Sequence, residues 1–261
     1  MSEPVLLFEQ NEYGTAVIKL NRPSAMNAFN MELKTALLDL VRHIANDDSV
    51  KAVVITGEGR AFSAGGDIKE MDPNRKPLAN RERMRTMSEV IMTLHTMEKP
   101  VIMAVNGYAV GFGFNFALCG DIVLASDQAK FSQIFLQVGL VPDGGGFWFL
   151  PRMIGLHRAK ELVFTAKMIT AEEAYQMGIV NRVVPHDQLL DEAVKMANEM
   201  AQGPIKAIGV AKTLLNHCAA TDLKTALDYE AWVQSVMAQT EDHEEGKRAF
   251  MEKRKPQFKG R

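Results

Sequence analysis

Two cysteines are all that the 261 residues contain, Cys119 and Cys218, and no Cys-x-x-Cys pair occurs. That excludes a disulfide framework and fits a reducing compartment. The six histidines, at 43, 95, 157, 186, 217 and 243, never stand three to five residues apart, so no metal cage is visible. Neither sign of charge prevails: 30 basic residues against 32 acidic ones leave a net charge of -2. Such a balance lacks the one-signed field that draws nucleic acid or anionic membrane to a whole surface, so neither is an expected partner. Repeats and low-complexity tracts are missing too. The opening Met-Ser-Glu-Pro carries an acid where an export signal has basic residues and an apolar core, and the expected location is the cytoplasm. One uncharged run, the 21 residues from Pro100 to Gly120, is long enough to cross a bilayer as a helix. Asn106, Asn115 and four glycines interrupt it, and its Val/Ile-rich start reads as strand; a buried strand, a Gly turn and a buried helix are expected instead.

What is present is ordinary globular material, 47% hydrophobic and 24% charged, enough for one large domain with a small appendage. Val5 to Phe8 and Thr15 to Leu20 flank Asn11 to Gly14 as a hairpin would. Leu33, Leu37, Leu40, Val41 and Ile44 form the stripe of an amphipathic helix. Val50 to Thr56 is a β-branched run suited to a strand buried on both faces. Residues 72 to 81, with Pro73 and Pro77, read as a surface loop, and a helix follows from about Arg83 to Met97. Val101 to Val105 and Asp121 to Ala125 are further strands, and this alternation predicts an α/β layered architecture with parallel pairing. Thr170 and Glu173 form a capping box for a short helix ending at Gly178, and Ile179 to Val184 is the last expected strand. From Asp187 to Lys255 the pattern is helical, broken near Gly203-Pro204 and near Ala219 to Asp222. We expect a core over 1–202 and a helical C-terminal region over 203–261.

Nucleotide-binding motifs fail on inspection. Gly57-Glu-Gly59-Arg-Ala-Phe62 lacks the third glycine of a dinucleotide fingerprint, and no Walker-type spacing with its lysine exists. Two glycine-rich loops remain, Phe62-Ser-Ala-Gly-Gly-Asp67 and Asn106-Gly-Tyr-Ala-Val-Gly-Phe-Gly-Phe-Asn115, each after a buried strand. Either alone reads first as a tight strand-to-helix turn. As a pair on adjacent strands, they present backbone N–H groups that can converge into an oxyanion hole.

The sequence resembles the enoyl-CoA hydratase/isomerase, or crotonase, superfamily. The resemblance rests on Leu20-Asn-Arg-Pro23 with Met26-Asn-Ala28, Ala61-Phe-Ser-Ala-Gly-Gly-Asp67, Lys99-Pro-Val-Ile with Asn106-Gly-Tyr-Ala, and Gly139-Leu-Val-Pro-Asp-Gly-Gly145. It runs down to the closing Phe250-Met-Glu-Lys-Arg-Lys-Pro-Gln-Phe258. It implies an α/β, crotonase-like spiral of ββα units with a C-terminal helical trimerisation region, assembled as a homotrimer or as a hexamer made of two trimers. It also implies an acyl-CoA substrate whose thioester oxygen sits between the N–H groups of Gly66 and Phe112, the Phe112 ring pointing away. Coenzyme A would enter as part of the substrate, with no separate cofactor. Its contacts would come from Ala25, Met26, Ala64, Gly66, Asp67 and Ile68, and from Phe250 and Lys253 of a neighbouring subunit.

Two-carboxylate hydratases of that family carry one glutamate in the helix after the second glycine loop and another just before the Gly-Leu-x-Pro motif. Those positions match Asn115 and Phe135 here, and neither side chain supplies the acid and base that water addition needs. Asp143 is the carboxylate that remains, and Phe135, Phe147 and Trp148 are the expected apolar neighbours that desolvate it and raise its pKa. One carboxylate suffices to move a double bond, taking a proton beside the thioester and returning it two carbons away. The stretch Gly139 to Arg152 most resembles the epoxyphenylacetyl-CoA isomerase branch, which has enoyl-CoA isomerase-like activity and an aspartate acting alone at this place. The expected catalytic set is Asp143, Gly66, Phe112 and Asn115, and the expected reaction is isomerisation of an enoyl-CoA. Two alternatives stay open: hydration, with Asp143 and a water held by Asn115, and a non-catalytic relative that binds acyl-CoA or RNA. Phe112, Phe114, Phe116, Phe135 and Trp148 suggest an acyl pocket able to take aromatic or branched groups.

Overall fold

A computed structural model of the chain describes residues 3–72, 74 and 76–261. Pro73, part of the expected surface loop, and the first two residues of the expected cytoplasmic N-terminus lie outside those residues. The hairpin forms as β1 (Leu6–Gln10) and β2 (Thr15–Leu20), paired antiparallel. Helix α1 (Met31–Asn46) buries Leu33, Leu37, Leu38, Val41 and Ile44 along one face, and Asn30 caps it by accepting from the Leu33 N–H. The strands β3 (Ala52–Gly57), β5 (Val101–Val105), β7 (Ile122–Ser126) and β10 (Arg182–Val184) then add in parallel beside β2. The result, among the described residues, is a six-stranded sheet of order β1-β2-β3-β5-β7-β10.

Both faces of this sheet are covered, which explains the uninterrupted apolar runs of its central strands. Val53, Ile55, Val101, Met103 and Val105 face α1 and α2 (Pro77–Thr96) in the larger core. The alternating partners Ala52, Val54, Ile102 and Ala104 face α7 (Leu189–Ala201) through Leu189, Ala193 and Ala197. Helix α2 begins at Pro77, earlier than the expected Arg83, because proline is well suited to a first helical turn. The expected surface loop is correspondingly shorter.

A second sheet, not foreseen from sequence, places the glycine loops. Strands β4 (Ala61–Ser63), β6 (Tyr108–Val110), β8 (Lys130–Ser132) and β9 (Ile169–Thr170) lie side by side in that order. The parallel β4–β6 pairing, Ala61 beside Tyr108 and Ser63 beside Ala109, sends both loops off the same sheet end. Beyond β6 comes the short α3 (Phe112–Leu118), every residue of which is buried. Helices α4 (Gly146–Ile154) and α5 (Leu156–Thr165) follow, then α6 (Ala171–Gln176) with the predicted Thr170–Glu173 capping box formed.

The C-terminal region is α8 (Ile205–Cys218), α9 (Leu223–Met237) and α10 (Glu241–Met251), broken at the two expected places and once more near Ala238 to Thr240. Helix α8 is pinned to the core by Lys212. Its ammonium donates to the carbonyls of Leu94 and Lys99 and pairs with Asp121 at 2.8 Å. Helix α9 has no buried residue and exposes Leu223, Leu227, Trp232 and Val236. Among the described residues no helix is long and apolar enough to cross a membrane.

Candidate active site

The first loop is fastened from below by the segment that contains Asn27. That side chain is fully buried at φ +54, donates to the carbonyls of Glu58 and Ala61, and accepts from the Arg22 N–H. Ser63 Oγ donates to the Asn27 carbonyl and accepts from the Gly65 N–H, and the Ala64 N–H donates to the Met26 carbonyl at 2.9 Å. Phe29 next forms a bridge along the loop: its N–H donates to the Gly65 carbonyl at 2.7 Å, and its carbonyl accepts from the Asp67 N–H. Because successive amides of an extended segment point to opposite sides, this bridge turns the Gly66 N–H away from Phe29. Asp67 pairs with Arg22 at 3.0 Å and caps the turn Ile68–Glu70.

The second loop meets the first at Gly65, whose φ is +95. A Cβ there would lie 2.8 Å from the Val110 carbonyl oxygen and 3.2 Å from the Phe112 nitrogen, so only glycine lets the two loops touch. Gly113 does the same for α3, since a Cβ would lie 2.2 Å from the Ser63 carbonyl oxygen. Phe112 is the first residue of α3, and its N–H has no acceptor within the helix. Its ring packs edge-on to Phe29 at 4.9 Å and nearly parallel to Phe116. Gly66 and Phe112 both line one cleft of about 540 Å³, within the usual range for a small-molecule site.

Asp143 lines the same cleft, on the turn between Pro142 and α4. One carboxyl oxygen, Oδ1, is buried and has no hydrogen-bond partner among the described residues. Burial pushes the carboxyl up to about 6; the positive charge of Lys34 and the residue's own backbone N–H pull weakly the other way. Removing water thus makes this carboxyl able to exchange a proton near neutral pH.

The apolar neighbours differ from those expected. Phe29, Phe112 and Leu140 share the cleft with Asp143. Phe147 is exposed, and Trp148 turns into a separate groove beneath Arg152 and beside His95. Phe135 is buried near Gly111. The five-aromatic acyl pocket is corrected likewise: Phe114 and Phe116 are core residues with no exposure, and of the five only Phe112 lines the cleft. Asn115, expected among the catalytic side chains, is fully buried behind the cleft, where it donates to the Asp143 carbonyl at 2.8 Å and accepts from Gln133.

Of the expected coenzyme A contacts, Gly66 and Asp67 line the cleft. Ala25, Met26 and Ala64 are partly exposed on the adjoining loops, and Ile68 is 72% exposed. Phe250 and Lys253 stand exposed at the C-terminus, and within one chain neither reaches the cleft. Sequence reasoning missed Lys34, Met71, Met84, Met87 and the Arg83–Glu70 ion pair, all of which line it. The Glu70 carboxylate also accepts from the Met31 N–H at the start of α1, tying α2 to the loop below it. Only the spacing of Met84 and Met87 along one helical face hinted at this wall.

The arrangement joins two glycine-rich loops, a desolvated carboxyl and an apolar wall at one cleft, which suits stabilisation of an enolate at a carbonyl. The sequence profile of the Enoyl-CoA hydratase/isomerase family matches residues 10–261. The 1,2-epoxyphenylacetyl-CoA isomerase of Escherichia coli is 37% identical over 253 residues, covering 96% of this chain and 97% of the relative. The crotonyl-CoA hydratase of Syntrophomonas wolfei is 38% identical over 250 residues, covering 95% and 96%. A crystal structure of an enoyl-CoA hydratase from Mycobacterium smegmatis superposes with a TM-score of 0.94 at 31% identity, covering 98% of this chain and 99% of that one. From the profile match, the relatives and the shared fold, the chain belongs to the enoyl-CoA hydratase/isomerase family.

Proposed function

We propose that the enzyme isomerises a 3-enoyl-CoA to the conjugated 2-enoyl-CoA with Asp143 as its only proton carrier. The observation that carries this reading is the state of the carboxylates around the cleft. Among the described carboxylates that line the cleft, Asp143 alone combines an unpartnered buried oxygen with a raised proton affinity, and Asp72 is exposed. Asp67 and Glu70 are engaged by Arg22 and Arg83. The positions of the two hydratase glutamates hold a buried amide, Asn115, and a buried ring, Phe135. The Asp143 carboxylate takes a proton from C2, next to the thioester. The electron pair moves into a dienolate whose oxygen is held by the Gly66 and Phe112 N–H groups. The same carboxyl then returns the proton to C4, leaving the double bond between C2 and C3. No water is consumed.

The family includes relatives named as hydratases as well as isomerases, so hydration is the reaction to test against. Turnover of a 3-enoyl-CoA and a 2-enoyl-CoA is measured for the wild type and Asp143→Asn, following conjugation and hydration separately. Conjugation that disappears in Asp143→Asn supports the reading. Fast hydration that survives the substitution defeats it.

The same proposal includes a cytoplasmic homotrimer or hexamer. Unpaired thiols at Cys119 and Cys218 suit a reducing compartment. The exposed apolar face of α9, together with exposed Phe147, Leu156 and Phe164 on α4 and α5, supplies surface for self-association through residues 203–261. A neighbouring copy would bring Phe250 and Lys253 to the coenzyme A moiety. Sedimentation equilibrium giving a single 29.0 kDa species contradicts this part.

A further inference from the structure

Asn115 is clamped between two groups that leave its amide one orientation. The Asp143 main-chain carbonyl can only accept a hydrogen bond, so the Asn115 atom 2.8 Å away is the donor Nδ2. Oδ1 then faces Gln133, whose Nε2 donates to it at 2.7 Å. The Gly146 N–H donates to the same Asp143 carbonyl at 2.9 Å, and a Cβ at Gly146 would come within 2.4 Å of Asn115 Nδ2. The turn that presents the carboxyl is therefore packed directly onto this side chain. At its other end Asn115 belongs to α3, three residues after Phe112, which lines the cleft.

Gln133 sits just after β8 and is 1% exposed. Its Oε1 is buried and has no hydrogen-bond partner among the described residues. A buried carbonyl oxygen left unpaired is unfavourable, and an apolar side chain of similar size would be free of that penalty. Gln133 thus leaves one buried acceptor unpaired while its donor satisfies another, Asn115 Oδ1, so its presence brings no net gain in satisfied groups and what it supplies is orientation of the Asn115 amide. With the Gln133 donor removed, the Asn115 amide can rotate and set Oδ1 against the Asp143 carbonyl. Two acceptors at that distance repel, and the turn shifts.

We propose that Gln133 and Asn115 form a positioning relay that holds the Asp143 carboxyl at a fixed place relative to the Phe112 N–H, with Gln133 setting the direction of the relay. Base and oxyanion donor then move as one body, although they come from loops about 30 residues apart. The inference deepens the isomerase reading and rests on it. Misplacement of a catalytic group by about 1 Å lowers rates on the order of 100-fold.

The test uses Gln133→Met, which keeps volume and removes the donor, and Gln133→Glu, which keeps shape and presents an acceptor. Measured are kcat and KM for a 3-enoyl-CoA, exchange of the C2 protons of a saturated acyl-CoA in D2O by NMR, and the thermal midpoint. The expected result is a kcat lowered about 10- to 100-fold in both variants with KM changed less than threefold. C2 exchange falls in parallel, and the midpoint of Gln133→Met stays within about 3 °C of the wild type, because the unpaired acceptor lost with Gln133 is replaced by an unpaired Asn115 Oδ1. Wild-type kcat in both variants overturns the relay, as does a kcat loss accompanied by a Gln133→Met midpoint lower by more than about 3 °C. If Gln133→Glu does not fold, Gln133→Met decides alone. A wild type that neither exchanges C2 protons nor isomerises removes the functional reading and the relay with it. An active wild type whose Gln133 variants match it removes the relay only.

Discussion

Replacing Asp143 with asparagine is expected to abolish turnover and at the same time stabilise the fold, with a pH dependence that identifies the carboxyl. Burial raises this carboxyl from 3.8 to about 6. At about 1.4 kcal/mol for each tenfold change in proton affinity, holding it ionised in the folded state is unfavourable by about 3 kcal/mol. Contact with solvent at the cleft reduces the expected figure to about 1–3 kcal/mol. The sign follows from the folded state binding the proton more tightly. The penalty is absent below the unfolded value of 3.8, grows as pH rises through the interval up to about 6, and is complete at neutral pH. Asp143→Asn carries no charge at any of these pH values and escapes it. For a chain of this length the gain corresponds to a thermal midpoint higher by about 2–10 °C at pH 7.5, shrinking towards zero at pH 4. Differential scanning calorimetry of both proteins across that range measures it, with activity assayed on the same samples. An Asp143→Asn protein that is less stable at pH 7.5, or whose difference does not change with pH, refutes the argument that desolvation tunes this group.

Three further expectations concern other parts of the structure. Since the base must be ionised, kcat/KM for a 3-enoyl-CoA rises about tenfold per pH unit below about 6 and levels off above it; a profile flat from pH 5 to 8 contradicts an Asp143 base. Asp121→Ala leaves the buried Lys212 ammonium without its counter-charge and the Val101 N–H without its acceptor, and lowers stability by about 3–5 kcal/mol in urea titrations. Because this pair lies outside the cleft, kcat/KM of the folded fraction stays within threefold of the wild type. Gly113→Ala drives a Cβ into the Ser63 carbonyl and forces α3 away from β4, so kcat drops on the order of 100-fold and stability falls by about 1–3 kcal/mol. Wild-type turnover in that variant places the oxyanion donors elsewhere.

Much of the fold was legible because its central elements are long and strongly patterned. The stripe of α1, the β-branched run of β3, the strand β5 and the Thr170 capping box each carry a local signal that tertiary context reinforces. The second sheet left no comparable trace. Its strands are two or three residues long, and β4 pairs with β6 across more than 40 residues, so hydrogen bonds to distant partners define them rather than any period. The same holds for the cleft. Gly66, Phe112 and Asp143 stood out through motif resemblance, whereas Lys34, Glu70, Arg83 and Gln133 have unremarkable neighbours in sequence and acquire a role only by proximity. The aromatic residues misled for a related reason: α3 is enclosed on every side, so Phe114 and Phe116 fill core instead of lining a pocket, and Trp148 turns with α4 into another groove.

The sequence by itself determined the layered α/β plan, the helical C-terminal region, the family and the absence of glutamate at two positions, since each depends on residue identity and local spacing. The tertiary structure alone decided that Phe29 bridges to Gly66, that Phe29, Phe112 and Leu140 share a cleft with Asp143, and that Asn115 supports the turn from behind. Those outcomes depend on backbone direction and on exclusion of water by residues far apart in the chain, quantities that no local pattern encodes.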